Sequence, residues 1–183
     1  MHVGRPGSER GFALFEVLIV TMVAAGLLAS AIALMTSANR VSEEDRLRAL
    51  VESTHRRSLE YVTNVLRNAS TASLQGFDPV TEIASAPQFR RPTGSSGGAP
   101  TLGDPERLVW RPSALAVPGI ASPGDVWLVT ASTERVAAAR VPLDGFSVRQ
   151  DGRGLVVRLT TYNQAPGKHA RTLSSEATVC LRN

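Results

Sequence analysis

Apolar side chains follow three rhythms along this chain. Over residues 12–35 they are almost unbroken, 24 residues with Glu16 as the only ionisable side chain. A helix crosses the hydrocarbon core of a bilayer in roughly 20 apolar residues, so this run is long enough to span one. Over residues 41–69 the rhythm becomes helical. Leu47, Leu50, Val51, Thr54, Tyr61, Val62, Val65 and Ala69 recur at spacings that place them on one face. Arg48, Glu52, Arg56, Glu60, Thr63 and Arg67 fall opposite, and His55 belongs to that polar side. No proline interrupts residues 12–75, and Gly76 followed by Pro79 is an ordinary stop signal. One helix of about 60 residues is predicted, roughly 90 Å long at 1.5 Å per residue. Residues 12–35 form its transmembrane half and 36–76 its amphipathic half.

The third rhythm is period two. Strands are predicted over residues 108–111, 126–131, 136–141, 146–149, 155–162 and 177–181. Alternation in Leu155-Val156-Val157-Arg158-Leu159-Thr160 suits a sheet with one buried face. The segment Gln150-Asp151-Gly152-Arg153-Gly154 reads as a hairpin turn. Trp110 and Trp127 are expected in the core, packed against the helix. Residues 163–173 read as a polar loop. Between helix and strands, residues 77–106 hold Pro79, Pro87, Pro92, Pro100 and Pro105, and the run Thr93-Gly94-Ser95-Ser96-Gly97-Gly98-Ala99-Pro100. That composition predicts a loop. It lacks the feeding strand and the Gly-Lys-Ser/Thr of a phosphate cradle. One helix followed by a run of strands defines an α+β class, with the helix on an antiparallel sheet. Residues 107–183 are its strand-rich part.

Composition narrows the function. The 148 residues beyond Met35 (183 − 35) suffice for one globular domain. The single cysteine excludes an intrachain disulfide. Cys180 sits in the apolar run 177–181 and reads as a small core residue. The net charge is +4, and every basic residue except Lys168 is arginine. The arginines are scattered among acids, with only Arg56-Arg57 and Arg90-Arg91 as doublets, which favours a solvated basic surface over nucleic-acid binding. His2, His55 and His169 show no metal-ligand spacing, and there is no Gly-x-Ser-x-Gly elbow. Glu43-Glu44-Asp45 lacks calcium-loop spacing and reads as the solvated exit from the membrane. No catalytic residue, metal ligand or cofactor is nominated, and an enzyme is not expected.

Glu16 is the costly residue. A charge within a membrane helix costs roughly 2.5–3.5 kcal/mol on insertion scales and is usually paired. Gly11, Phe12, Leu14, Glu16, Val17, Leu18 and Ile19, with Ala13 and Phe15 between them, read G-F-A-L-F-E-V-L-I. This resembles the type IV prepilin signature, G-F-T-L-I-E-V-L-I. The resemblance covers the first 35 or so residues. It implies a leader, residues 1–11, removed by a membrane prepilin peptidase between Gly11 and Phe12, with Phe12 then N-methylated. It also implies that Glu16 meets the Phe12 amine of a neighbouring subunit during assembly. The implied fold is pilin-like. The implied partners are the peptidase, other minor and major pilins, and inner-membrane lipid.

Size, the absent disulfide and the strand-rich end look most like PilW-type minor pilins, which prime assembly near a pilus tip. A J-type pseudopilin of a type II secretion system, or a pilin-like DNA-uptake component, shares the same N-terminus. The resemblance implies a single pass through a bacterial inner membrane with the C-terminal domain in the periplasm, then entry into a pilus or pseudopilus. Many major pilins carry a proline in the apolar half; this chain has Gly26 instead. Two readings compete: a plain single-pass anchor, which leaves an unpaired Glu16 unexplained, and a cleaved signal peptide, with Arg5 and Arg10 before the core and a cut near Ala29-Ser30-Ala31. Its core would be longer than the usual 7–15 residues and would contain Glu16.

Overall fold

The computed structural model describes residues 9–152, 154–163 and 170–181. Helix α1 runs Glu9–Arg67 without a break. A 3-10 turn, Thr71–Ser73, follows it. Eight strands come next: β1 Ile83–Ala84, β2 Gln88–Ser96, β3 Ala99–Pro112, β4 Pro123–Val129, β5 Glu134–Pro142, β6 Phe146–Asp151, β7 Gly154–Asn163 and β8 Arg171–Cys180. They pair antiparallel in two four-stranded sheets, ordered β2-β3-β4-β5 and β1-β6-β7-β8. The layout is α+β, with two sheets where one was expected. The chain divides into two units, Met1–Arg48 and Ala49–Asn183. In the first, every side chain from Leu14 onward is exposed.

The second unit has one apolar core. The last turns of α1 contribute Val62, Val65 and Leu66; β2–β5 contribute Phe89, Leu108, Val126 and Val141; β6–β8 contribute Val148, Leu155, Val157 and Val179. The helix face differs from the expected one. The line inward is Val51, His55, Leu59, Val62, Leu66 and Ala69, spaced by three and four. Thr54 and Tyr61 are exposed, as are Leu47 and Leu50, while Thr63 is buried. The rotated face carries His55 inside, where hydroxyls satisfy its ring.

α1 also ends earlier than Gln75. The Ala69 N–H bonds the Leu66 carbonyl, but the next amide, Ser70 N–H, donates to Arg90 O of β2 at 2.9 Å. Ser73 Oγ accepts from Arg90 N–H at 2.8 Å, and Gln75 exchanges both backbone bonds with Gln88. Backbone groups beyond Arg67 thus trade helical partners for the margin of a sheet.

The expected loop over residues 77–106 is instead largely the β2–β3 hairpin. Gly97 and Gly98 both have positive φ, 61° and 87°, the backbone that a two-residue hairpin turn requires. The prolines are accommodated by position. Pro92 lies between two register shifts in β2, an edge strand. Pro100 and Pro105 lie in the part of β3 that β2 alone pairs; β4 joins only from Arg107 to Pro112. Proline there removes no sheet hydrogen bond on the open side.

Other strands extend the predicted runs. β6 and β7 join around Gly152, while Arg153 lies outside the described residues. β8 starts at Arg171, so it takes up the end of the expected 163–173 loop; residues 164–169, with Lys168 and His169, lie outside the described residues. Trp110 packs against the core, as expected, and its indole N–H donates to Val141 O at 2.9 Å. It crosses β4 at Gly124, where a Cβ would stand 2.5 Å from the indole ring. Trp127 does not join the core. Alternation along β4 turns Val126 and Leu128 inward and Trp127 outward, where the Arg111 guanidinium lies 5.6 Å from its ring centroid. Cys180 is likewise exposed, because it is Val179 that points inward from β8.

Leu66→Ala should lower stability by about 2–5 kcal/mol, the usual loss for a buried leucine. Thr54→Ala should change it by less than about 0.5 kcal/mol, as for an exposed site. Chemical denaturation of both variants in detergent checks this, and comparable losses would contradict the observed helix face.

Candidate functional site: an apolar helix with one carboxylate

Within the first unit, α1 exposes a continuous apolar surface. Leu14 is 73% exposed and Met35 72%, and the large side chains between them are similarly open. Mean hydropathy in its most apolar window is 2.5. Leucine, alanine and methionine form helix at little cost. The few hydroxyls in and beside the run are satisfied by the helix itself. Thr21 Oγ1 donates to Leu18 O at 2.9 Å, Ser30 Oγ to Gly26 O at 2.8 Å and Thr36 Oγ1 to Ala33 O at 2.9 Å. Such back-bonding removes the polar penalty that a hydroxyl would otherwise carry in hydrocarbon.

Glu16 is the exception. Its side chain is exposed, and among the described residues nothing donates to it or pairs with it. It stands four positions after Phe12, one helical turn, and residues so spaced share a face. Gly11 and Phe12 lie within α1. The Phe12 side chain and residues 1–8 lie outside the described part. One helix near the N-terminus is therefore long and apolar enough to cross a membrane, compatible with a single-pass membrane protein. No family model, curated protein or solved structure matches the chain.

The second unit carries a buried polar constellation that the pattern of the helix hid. His55 is buried. Its Nδ1 lies 2.8 Å from Thr161 Oγ1 on β7 and its Nε2 lies 2.9 Å from Ser175 Oγ on β8. A neutral ring donates to one hydroxyl and accepts from the other, so both nitrogens are satisfied. The signal was its four-residue spacing from Val51 and Leu59, which places it on the core line. Among the described residues, no three His, Cys, Asp or Glu side chains converge as metal ligands would. Several arginines are matched by acids: Arg56 with Glu60, Arg91 with Glu106, and Arg111 with Glu134 through two 2.8 Å contacts. The Arg111 guanidinium holds the Glu134 carboxyl below its ordinary pKa.

Burial lowers the pKa of His55 from its ordinary 6.5. The unfolded chain takes up a proton near 6.5, while the folded chain resists it. The contribution of this site is complete above pH 6.5 and is lost as the pH falls from there toward the depressed folded value. Melting temperature should drop between about pH 7 and 5, and His55→Gln should flatten the pH dependence in that window. Parallel thermal melts of both proteins measure the difference; an identical slope would remove His55 as its source.

Proposed function

We propose that the chain is a minor pilin of a type IV pilus, held by its N-terminal helix in a bacterial inner membrane and then drawn into a filament. The observation that carries this reading is Glu16, the single carboxylate of the apolar run 12–35, exposed with its apolar neighbours from Leu14 onward and one turn beyond the Phe12 of a G-F-A-L-F-E-V-L-I stretch. A lone carboxylate in hydrocarbon needs a cation. Cleavage after Gly11 would create one, the free amine of Phe12. Opposite charges removed from water attract far more strongly than in it, so the pair would fix the axial offset of one subunit on the next. The apolar face would stay out of water throughout, first in lipid and then among neighbouring helices.

Each residue has a distinct part in this reading. Gly11 lets the peptidase approach the backbone closely, because it has no side chain. Phe12 supplies the amine and receives the methyl group. Glu16 supplies the counter-charge. The strand-rich unit would stand in the periplasm and meet other pilins. The same N-terminal chemistry serves a J-type pseudopilin of a secretion system, and partner capture separates the two. DNA uptake is less favoured, because Arg56, Arg91 and Arg111 already have acidic partners.

Two variants test the reading. Gly11→Val should accumulate as uncut precursor. Intact mass of the wild-type protein should show Phe12 as the first residue, carrying one methyl. Glu16→Ala should be processed normally yet co-purify with partner pilins at least about tenfold less, the loss expected when a desolvated charge pair worth 1.4 kcal/mol or more is broken. Normal cutting of Gly11→Val would refute the cleavage assignment, and undiminished partner recovery by Glu16→Ala would remove its role in assembly.

A further inference from the structure

The four sheet edges are unequally protected. An open edge is a template for another strand, and proteins blunt such edges with short strands, bulges, proline or lysine. β1 is two residues long. β2 carries two register shifts and Pro92, and backbone groups at Ser70 and Gln75 bond to it. β5 pairs through register shifts, has Arg140 at φ 59° and ends at Pro142. β8 has none of these devices. Its ten residues pair with β7 in unbroken register, with neither proline nor lysine among them.

The alternation of the ladder identifies which groups are open. Thr160 N–H donates to Gly145 O, beside β6, so the even-numbered residues of β7 face β6. Leu155, Val157, Leu159 and Thr161 then face β8, opposite Val179, Ala177, Ser175 and Leu173. The backbone N–H and C=O groups of Thr172, Ser174, Glu176 and Thr178 therefore point to the free side. Among the described residues nothing bonds to them.

We infer that the β8 edge is a docking site for an extended segment of another protein chain, added as a further strand of this sheet. The side chains define what fits. Leu173 and Ala177 are only half-buried on the inner face, so the added strand covers them with aliphatic residues at every second position. The outer face presents Thr172, Ser174, Glu176 and Thr178, all exposed. β7 shows the complement: Leu155, Val157 and Leu159 inward, and Arg158 directly opposite Glu176. The occupant is an alternating segment of aliphatic and hydroxyl or arginine residues.

A second copy is the weaker occupant. Two β8 edges paired antiparallel in the register that centres Glu176 set two carboxylates directly opposite one another, and like charges so placed are destabilising, whereas an arginine there repeats the Arg158–Glu176 pairing.

The test uses the full chain in detergent and a fluorescent peptide with the sequence of residues 154–163, followed by anisotropy. The peptide is expected to bind. N-methylation at its Val156 and Arg158 amides should weaken binding at least about tenfold, whereas N-methylation at Leu155, Val157 and Leu159, whose side chains turn inward opposite Leu173, Ser175 and Ala177 and whose amides point away from β8, should change it less than about threefold. Ser174→Pro with Thr178→Pro, whose N–H groups face outward, should abolish binding with the circular dichroism spectrum retained. Absence of binding, or equal binding by both methylated peptides, overturns the edge site. Concentration-dependent dimerisation of the chain alone, removed by the two prolines, overturns the foreign strand in favour of a second copy. None of these results alters Gly11 processing, so failure here and failure of the pilin reading remain separate.

Discussion

Residues 62–69 of α1 meet both sheets in one apolar cluster, and the folded unit depends on that meeting. Val62, Val65, Leu66 and Ala69 lie against residues from β2 through β8. Neither four-stranded sheet can bury its inner face alone, because a sheet needs a second layer to cover it. The helix supplies part of that layer, and each sheet supplies the rest for the other. Rotation of the helix face follows from the same requirement. Bringing Val62 and Leu66 inward also carries His55 inward, about two turns before Val62 and three before Leu66, and the hydroxyls of Thr161 and Ser175 make that burial tolerable.

The two units solve the problem of exposed polar and apolar groups in opposite ways. In the second, apolar side chains are hidden and polar ones are matched: His55 by two hydroxyls, Trp110 by a carbonyl, Arg111 by a carboxylate. In the first, apolar side chains are displayed and hydroxyls are folded back onto the helix. Water suits the arrangement of the second unit and hydrocarbon that of the first. Glu16 fits that hydrocarbon poorly, because a carboxylate there needs a cation.

Much of this was legible from residue order, in proportion to how local the cause was. The long helix and the strands around Val126, Val136, Phe146 and Leu155 follow from periodicity, a property of neighbours in sequence. The helix terminus is not legible because its cause is distant: Arg90, more than twenty residues beyond Arg67, takes the bond that helix would have used. The β2–β3 ribbon was hidden by its prolines and glycines, which usually mark loops. They are compatible with strand only because one side of each strand is open there, a fact of pairing rather than composition. Residue type alone places Trp127 and Cys180 in a core from which the pleat turns them away. Gly11, Phe12 and Glu16 are legible only as a motif.

The outer part of the β2–β3 ribbon has a consequence for how this chain can change over evolutionary time. From Gly94 to Thr101 its residues are exposed, and its backbone bonds run only between its own two arms. Lengthening or shortening it by paired residues leaves the core and the β3–β4 register untouched. The ribbon is thus a place where length can drift while the rest of the sheet is held, and a natural variable region for telling one close homologue from another.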